Sequence, residues 1–134
     1  MQSPEEESAF IDRVFRSLRG RTPTLLREDF CGTHFLSATW ANRRRQNRSI
    51  GFDLHRPTVA WGRARRATQL TAEQLSRVDI RIGDVRTARS GPVDAIAAFN
   101  FSYYLFKRRE ELVGYLRHAR TQLKRDGEIG RAHV

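Results

Sequence analysis

Segments of helical periodicity and segments of strand character take turns along this chain, and that alternation limits its fold more than any single residue does. Ser3-Pro4-Glu5-Glu6 has the form of a helix cap, with Pro at the first helical position and Glu three residues after the cap. Phe10, Ile11, Val14, Phe15 and Leu18 follow at helical spacing, and Gly20 marks the stop. Thr24 to Glu28 reads as a short strand, and Phe35 to Ala41 as a helix with Phe35, Leu36 and Trp40 on its apolar face. Ser49 to Leu54 is again of strand length. Pro57 opens a helix running to Leu70, with Val59, Ala60, Ala64 and Ala67 on or near one face. Val78 to Ile82 alternates with period two, and Val93 to Phe99, after a turn at Ser90-Gly91-Pro92, is the apolar run of a buried central strand. Lys107 to Leu123 returns to helical spacing through Leu112, Val113, Leu116 and Ala119. Such an order predicts an α/β domain: a Rossmann-like, mostly parallel sheet with flanking helices and right-handed crossovers.

A length of 134 residues suits one domain. The net charge of +10 favours attraction to polyanions. All of the 25 basic residues except Lys107 and Lys124 are arginine, however, a bias that GC-rich coding produces without selection for nucleic acid. At 39% hydrophobic residues, with no low-complexity tract and no internal repeat, the chain is not of the disordered class. No apolar run reaches the ~18 residues of a membrane span, and the acidic start is unlike a secretory signal, so a cytoplasmic protein is expected. A single cysteine, Cys31, excludes a disulfide framework and a cysteine zinc site.

After the last helix such an alternation should continue into an apolar strand, and the chain instead closes on Glu128-Ile129-Gly130-Arg131-Ala132-His133-Val134. The sheet is therefore expected to be incomplete at its C-terminal end. The heptapeptide matches an in-frame reading of a common sequencing-library adapter, so residues 1–127 are taken as the N-terminal part of a domain and 128–134 as a non-native tail outside the fold.

The residues suited to chemistry cluster at the carboxyl ends of the expected strands, where open parallel sheets bind ligands. The first strand runs into Glu28-Asp29-Phe30-Cys31-Gly32-Thr33-His34, the second into Asp53-Leu54-His55, the third into Gly83-Asp84-Val85 and the fourth into Asn100-Phe101-Ser102. A turn holding Gly32 lets backbone approach a ligand closely. An acidic residue ending the next strand, as Asp53 does, can accept from both hydroxyls of a ribose. Asp84 is placed to accept from an exocyclic amine, with Leu54 and Val85 flanking a flat ring.

Leu26-Arg27-Glu28-Asp29-Phe30-Cys31-Gly32-Thr33, taken with Gly51-Phe52-Asp53-Leu54, Ala60-Trp61-Gly62-Arg63, Gly83-Asp84-Val85-Arg86 and Asn100-Phe101-Ser102-Tyr103, resembles a bacterial subgroup of class I S-adenosylmethionine-dependent methyltransferases. The likeness runs from about Phe10 to Gly127. It implies that Glu28, Asp29, Phe30, Cys31, Gly32 and Thr33 form the loop around the methionine part of the cofactor. It also implies that Asp53 holds the ribose, that Asp84 and Val85 meet the adenine, and that Asn100 and Phe101 lie near the transferable methyl group. Two positions depart from the pattern: His34 stands where the family has a small residue, and Phe30 where most class I enzymes have their first glycine. The resemblance does not name the acceptor, which is a small molecule or, given the basic charge, RNA; no catalytic base is required if it is already nucleophilic.

Two other classes compete. A noncatalytic basic α/β module would bind RNA through its arginines, and a nicotinamide-dependent oxidoreductase would need the three-glycine dinucleotide loop that is missing here. Arg43-Arg44-Arg45 and Arg63 with Arg65-Arg66 read as solvated helix faces, Cys31 as a small buried residue, and Tyr103, Tyr104 and Phe106 as core. His34, His55 and His118 lack metal-ligand spacing.

Overall fold

A computed structural model describes residues 3–100 and 108–131. The Ser3 hydroxyl accepts from the Glu6 N–H at 3.2 Å and starts α1 (Pro4–Arg19). Gly20, in the left-handed region at φ 70°, ends it. Then follow β1 (Leu25–Asp29), α2 (Phe35–Arg43), β2 (Arg48–Asp53), α3 (Arg56–Ala67), α4 (Ala72–Leu75), β3 (Val78–Ile82), β4 (Val93–Ala98), α5 (Arg109–Thr121) and β5 (Leu123–Arg131). The short α4 falls within no expected element, although Thr71 and Gln74 form a reciprocal capping box that spells it out locally. All neighbouring strands pair in parallel, in the order β3-β2-β1-β4-β5, so the chain reverses its direction of travel across the sheet between β1 and β4. The expected Rossmann-like parallel sheet is what forms.

The period-two geometry of β1 divides its residues between the two faces. Leu26 and Glu28 point toward α1 and α2, where Leu36, Trp40, Ala95 and Ala97 complete a cluster and Glu28 accepts from Ser37. Leu25, Arg27 and Asp29 point the other way, toward α5. There the Arg27 guanidinium meets the Asp29 carboxylate at 2.7 Å and lies 4.6 Å over the Phe52 ring, while the Tyr115 hydroxyl donates to Asp29 at 2.6 Å. A third cluster of Cys31, Val59 and Ile80 seats α3. Trp40, fully buried, donates its Nε1–H to the Thr24 carbonyl at 3.0 Å.

At the C-terminal end the expected elements shift. The last helix stops at Thr121, and Leu123 begins a strand that the charges of Lys124, Arg125 and Asp126 disguise in the sequence. Residues 128–131, expected outside the fold, pair with Ala95 to Ala98 and so lie in the sheet whatever their coding origin. The residues between Leu123 and Glu128 stand opposite Asp94 alone, a register shift stabilised by that buried carboxylate. Asp94 accepts from the N–H groups of Thr24 (2.8 Å) and Leu25 (2.9 Å) and pairs with Arg21 (2.7 Å) and Lys124 (3.1 Å). Burial alone would raise its pKa, and these donors instead hold it down to about 2. Phe35 also departs from expectation: it is 42% exposed, beneath the Arg66 guanidinium at 4.5 Å, rather than on the buried face of α2. The site candidate Phe101, the aromatic residues Tyr103, Tyr104 and Phe106, and the expected helix start at Lys107 lie outside the described residues.

Candidate functional site

At the point where the strand order reverses, the carboxyl ends of β1 to β4 surround a cleft of about 460 Å³. Phe30 and Gly32 come from the loop after β1, Asp53, Leu54 and His55 from the end of β2, Asp84, Val85 and Arg86 from the connection after β3, and Asn100 from the end of β4. This is the position at which doubly wound sheets bind ligands, and the size is that of a small-molecule pocket.

The loop after β1 is held in an unusual shape. Phe30 (φ 57°), Gly32 (φ 55°) and His34 (φ 48°) all occupy the left-handed region, which costs the two non-glycine residues about 1–2 kcal/mol each. Hydrogen bonds within the loop and from it to its surroundings offset that strain. The Cys31 N–H donates to the Phe52 carbonyl (3.0 Å), the His34 N–H to the Cys31 carbonyl (2.7 Å), and the Gly32 N–H to Asp53 Oδ2 (2.8 Å). The Asn100 amide donates to the Phe30 carbonyl at 3.2 Å, tying the ends of β1 and β4 together across the reversal point.

From outside, α3 presses on this loop through Gly62. A Cβ there would sit 2.7 Å from the Thr33 carbonyl oxygen, 2.9 Å from Thr33 Cα and 2.9 Å from His34 Cε1. Two of those three atoms are backbone, so they cannot swing aside. Gly62→Ala is expected to destabilise the fold by about 1–3 kcal/mol through overpacking, read as a lower urea midpoint with an unchanged slope. An unaltered midpoint would mean that α3 does not bear on the loop. His34 fits because its ring is buried against this glycine. Burial, with Arg66 and Arg63 nearby, lowers its pKa to about 4, so the imidazole is neutral.

The two strand-end aspartates face the cleft, and each also organises its own turn. Asp53 Oδ1 accepts from the His55 N–H at 2.9 Å, and Asp84 Oδ1 from the Arg86 N–H at 2.9 Å, both two residues ahead. Arg86 turns back onto Asp84, with Nη2 to Oδ2 at 2.8 Å, and this pairing lowers the Asp84 pKa. Leu54 is 61% exposed at the mouth, whereas Val85 is buried at 5%. His55 and Arg86 were not among the sequence candidates. Their signal was local: an aspartate followed two residues later by a polar residue, the spacing of an Asx turn.

Glu28, Asp29, Cys31 and Thr33 do not line the cleft. Glu28 is buried behind the loop and accepts from the Ser37 N–H (3.1 Å) and hydroxyl (2.6 Å) at the start of α2; desolvation raises its pKa to about 8. Asp29 faces α5 with Arg27 and Tyr115. Cys31 is buried against Gly51, and burial, reinforced by the nearby carboxylates of Glu28 and Asp53, pushes its thiol far up, so it is no nucleophile. Thr33 supplies the backbone on which Gly62 rests. No cluster of metal-ligating side chains occurs among the described residues.

No family model matches the chain, and no curated protein is similar to it at a significant level. Solved structures do match. An S-adenosylmethionine-dependent methyltransferase from Clostridium acetobutylicum superposes with a TM-score of 0.75 at 16% identity, over 94% of this chain and 48% of that one. CalS10 from Micromonospora echinaspora, an amino pentose methyltransferase of calicheamicin biosynthesis solved with S-adenosylmethionine bound, gives 0.72 at 21% identity over 92% and 48%. The glycopeptide N-methyltransferase MtfA in complex with S-adenosylmethionine gives 0.71 at 16% over 95% and 53%. The fold is that of the S-adenosylmethionine-dependent methyltransferases. The chain spans about half the length of these structures. No helix among the described residues is long and apolar enough to cross a membrane.

Proposed function

We propose that this chain is the cofactor-binding part of an S-adenosylmethionine-dependent methyltransferase, of the subgroup marked by the Glu28-to-Thr33 loop. The observation that carries this reading is Asp53: it stands at the end of β2, inside the cleft at the reversal point, with its carboxylate on the Gly32 N–H. Each Asp53 oxygen is used once by backbone and keeps a second lone pair for a ribose hydroxyl. Leu54 and Val85 supply apolar walls for an adenine, and Asp84 an acceptor for its amine, although Arg86 must share that carboxylate. The residues present therefore fit the cofactor.

S-adenosylmethionine, when bound, supplies an electrophilic sulfonium methyl. The protein's part is to align the acceptor and exclude water. The Gly32 loop and Asn100 border the position of the methionine part, and Phe101 follows directly in sequence. Among the named neighbours, one methylates an amino pentose and one is a glycopeptide N-methyltransferase, which favours a small-molecule acceptor over RNA for this chain. The noncatalytic RNA module gains nothing from the comparisons. Of the 23 arginines, Arg19, Arg21, Arg27, Arg43, Arg44, Arg77, Arg81 and Arg86 are engaged with carboxylates of the chain itself and are the less available to RNA.

A thermal melt with and without S-adenosylhomocysteine tests the reading. Ligand at about a hundred times its Kd adds ~2.7 kcal/mol to the folded state, so the midpoint rises by several degrees. A cooperative transition that stays in place at millimolar ligand would overturn the proposal.

A further inference from the structure

Away from the cleft, α1, α2 and the end of α3 line an open pocket of about 430 Å³. Arg66 of α3 lines it and is only 3% exposed. A guanidinium stays charged at any physiological pH, so one that leaves water is normally met by an anion or by a full set of acceptors. The other strongly buried arginines obey this. Arg27 pairs with Asp29, and Arg77 pairs with Glu73 while also donating to the carbonyls of Ala41, Arg44 and Asn47. Arg66 has neither kind of compensation: among the described residues no carboxylate forms an ion pair with it and its Nε is without a partner, its guanidinium lying instead over the face of Phe35.

The rest of the lining suits what is missing. Ser8, 1% exposed, has a hydroxyl without a partner at the same pocket. Thr39, Asn42 and Gln69 add neutral donors. Arg43 also borders the pocket but is turned to Asp12 at 3.3 Å, and Glu5 is exposed and forms no ion pair with Arg66. The pocket therefore presents one uncompensated cation and several neutral donors.

We propose that this pocket is a second ligand site, in which the Arg66 guanidinium receives the oxyanion group, phosphate or carboxylate, of a small ligand. A planar guanidinium matches either group in a two-pronged contact. The proposal is independent of the methyltransferase reading, because the pocket shares no residue with the cleft at the reversal point.

The test is a set of melts of the full chain in sodium phosphate, acetate and chloride at matched pH and ionic strength, with titrations of the two oxyanions. The expected result is a saturable rise in midpoint with phosphate or acetate and none with chloride, whichever oxyanion acts naming the ligand class. Arg66→Gln should weaken the apparent oxyanion affinity by about tenfold or more, as expected for losing a charge-assisted contact. If that variant fails to fold, Gln69→Glu serves. It lies on the exposed rim, puts a carboxylate into the same pocket, and should raise the midpoint in chloride while removing the oxyanion response. In both variants the shift with S-adenosylhomocysteine should persist. Equal midpoints in all three salts, or an oxyanion response unchanged in Arg66→Gln or Gln69→Glu, would overturn the proposal.

Discussion

Asp53→Ala is expected to remove the stabilisation by S-adenosylhomocysteine altogether at concentrations that saturate the unsubstituted chain. Hydrogen bonds to a charged acceptor contribute about 1.5–3 kcal/mol each. Two ribose hydroxyls on one carboxylate then account for at least a hundredfold in Kd. The same substitution releases the N–H groups of Gly32 and His55, now bound at 2.8 and 2.9 Å. Both sit at the edge of an open cleft where water can replace the carboxylate, so the unliganded protein should lose only about 1 kcal/mol. Isothermal calorimetry beside the melt separates the two effects: the expected pattern is a nearly normal unliganded midpoint with no measurable heat of binding. A variant that binds the ligand as tightly as its parent would remove Asp53, and with it the proposed mode of cofactor binding.

Asp53 is legible from the order of residues alone, and the reason is geometric. In a parallel sheet every strand delivers its last residues to the same edge, so Gly32, Asp53, Leu54, Asp84, Val85 and Asn100 could be brought together by marking strand ends. What strand ends do not encode is side-chain parity near the boundary. Glu28 and Asp29 are adjacent carboxylates in one acidic run, yet the pleat sends the first toward Ser37 and the second toward Arg27 and Tyr115, and neither into the cleft. Their partners lie on α2, within β1 and on α5, a long-range fact that local pattern does not contain.

The strand β5 was hidden for a related reason. Lys124, Arg125 and Asp126 look like a solvated helix end when only their neighbours in sequence are considered. In the fold, Asp94 and Arg21 supply opposite charges from distant segments: Arg21 bridges Asp94 and Asp126, and Lys124 meets Asp94. Polar sequence thus becomes strand because its charges are answered elsewhere in the chain. His34 shows the converse. It departs from the small residue expected at its position, and it is accommodated because Gly62 of α3 leaves room for its ring.

Glu28→Gln should stabilise the protein at alkaline pH, a reversal of the usual effect of altering a buried, hydrogen-bonded side chain. The ordinary carboxyl titrates near 4.5, and burial raises Glu28 to about 8 in the folded state. The unfolded chain therefore loses the proton first. Stability associated with this group is complete below pH 4.5 and declines as pH rises toward 8. Between the two pKa values the decline is about 1.4 kcal/mol for each pH unit. Glutamine cannot ionise, while its carbonyl can still accept from the Ser37 N–H and hydroxyl, so the variant should match its parent near pH 4 and exceed it by roughly 4 kcal/mol at pH 8. Glu7 and Asp29, also raised by burial, repel the ionised Glu28, so their own titrations shift with the substitution, and His34, lowered to about 4, affects both curves only on the acid side. The difference between the two urea-denaturation profiles reports the ionisation of Glu28 together with its coupling to those carboxyls, and parallel profiles from pH 5 to 8 would show that its carboxyl ionises normally in the fold. The variant's response to S-adenosylhomocysteine bears on function. Glu28 lies behind the loop and not in the cleft, so the ligand-induced shift at pH 6 should survive this substitution, whereas Asp53→Ala abolishes it. Loss of that shift would move Glu28 from a supporting role beneath α2 to direct contact with the cofactor.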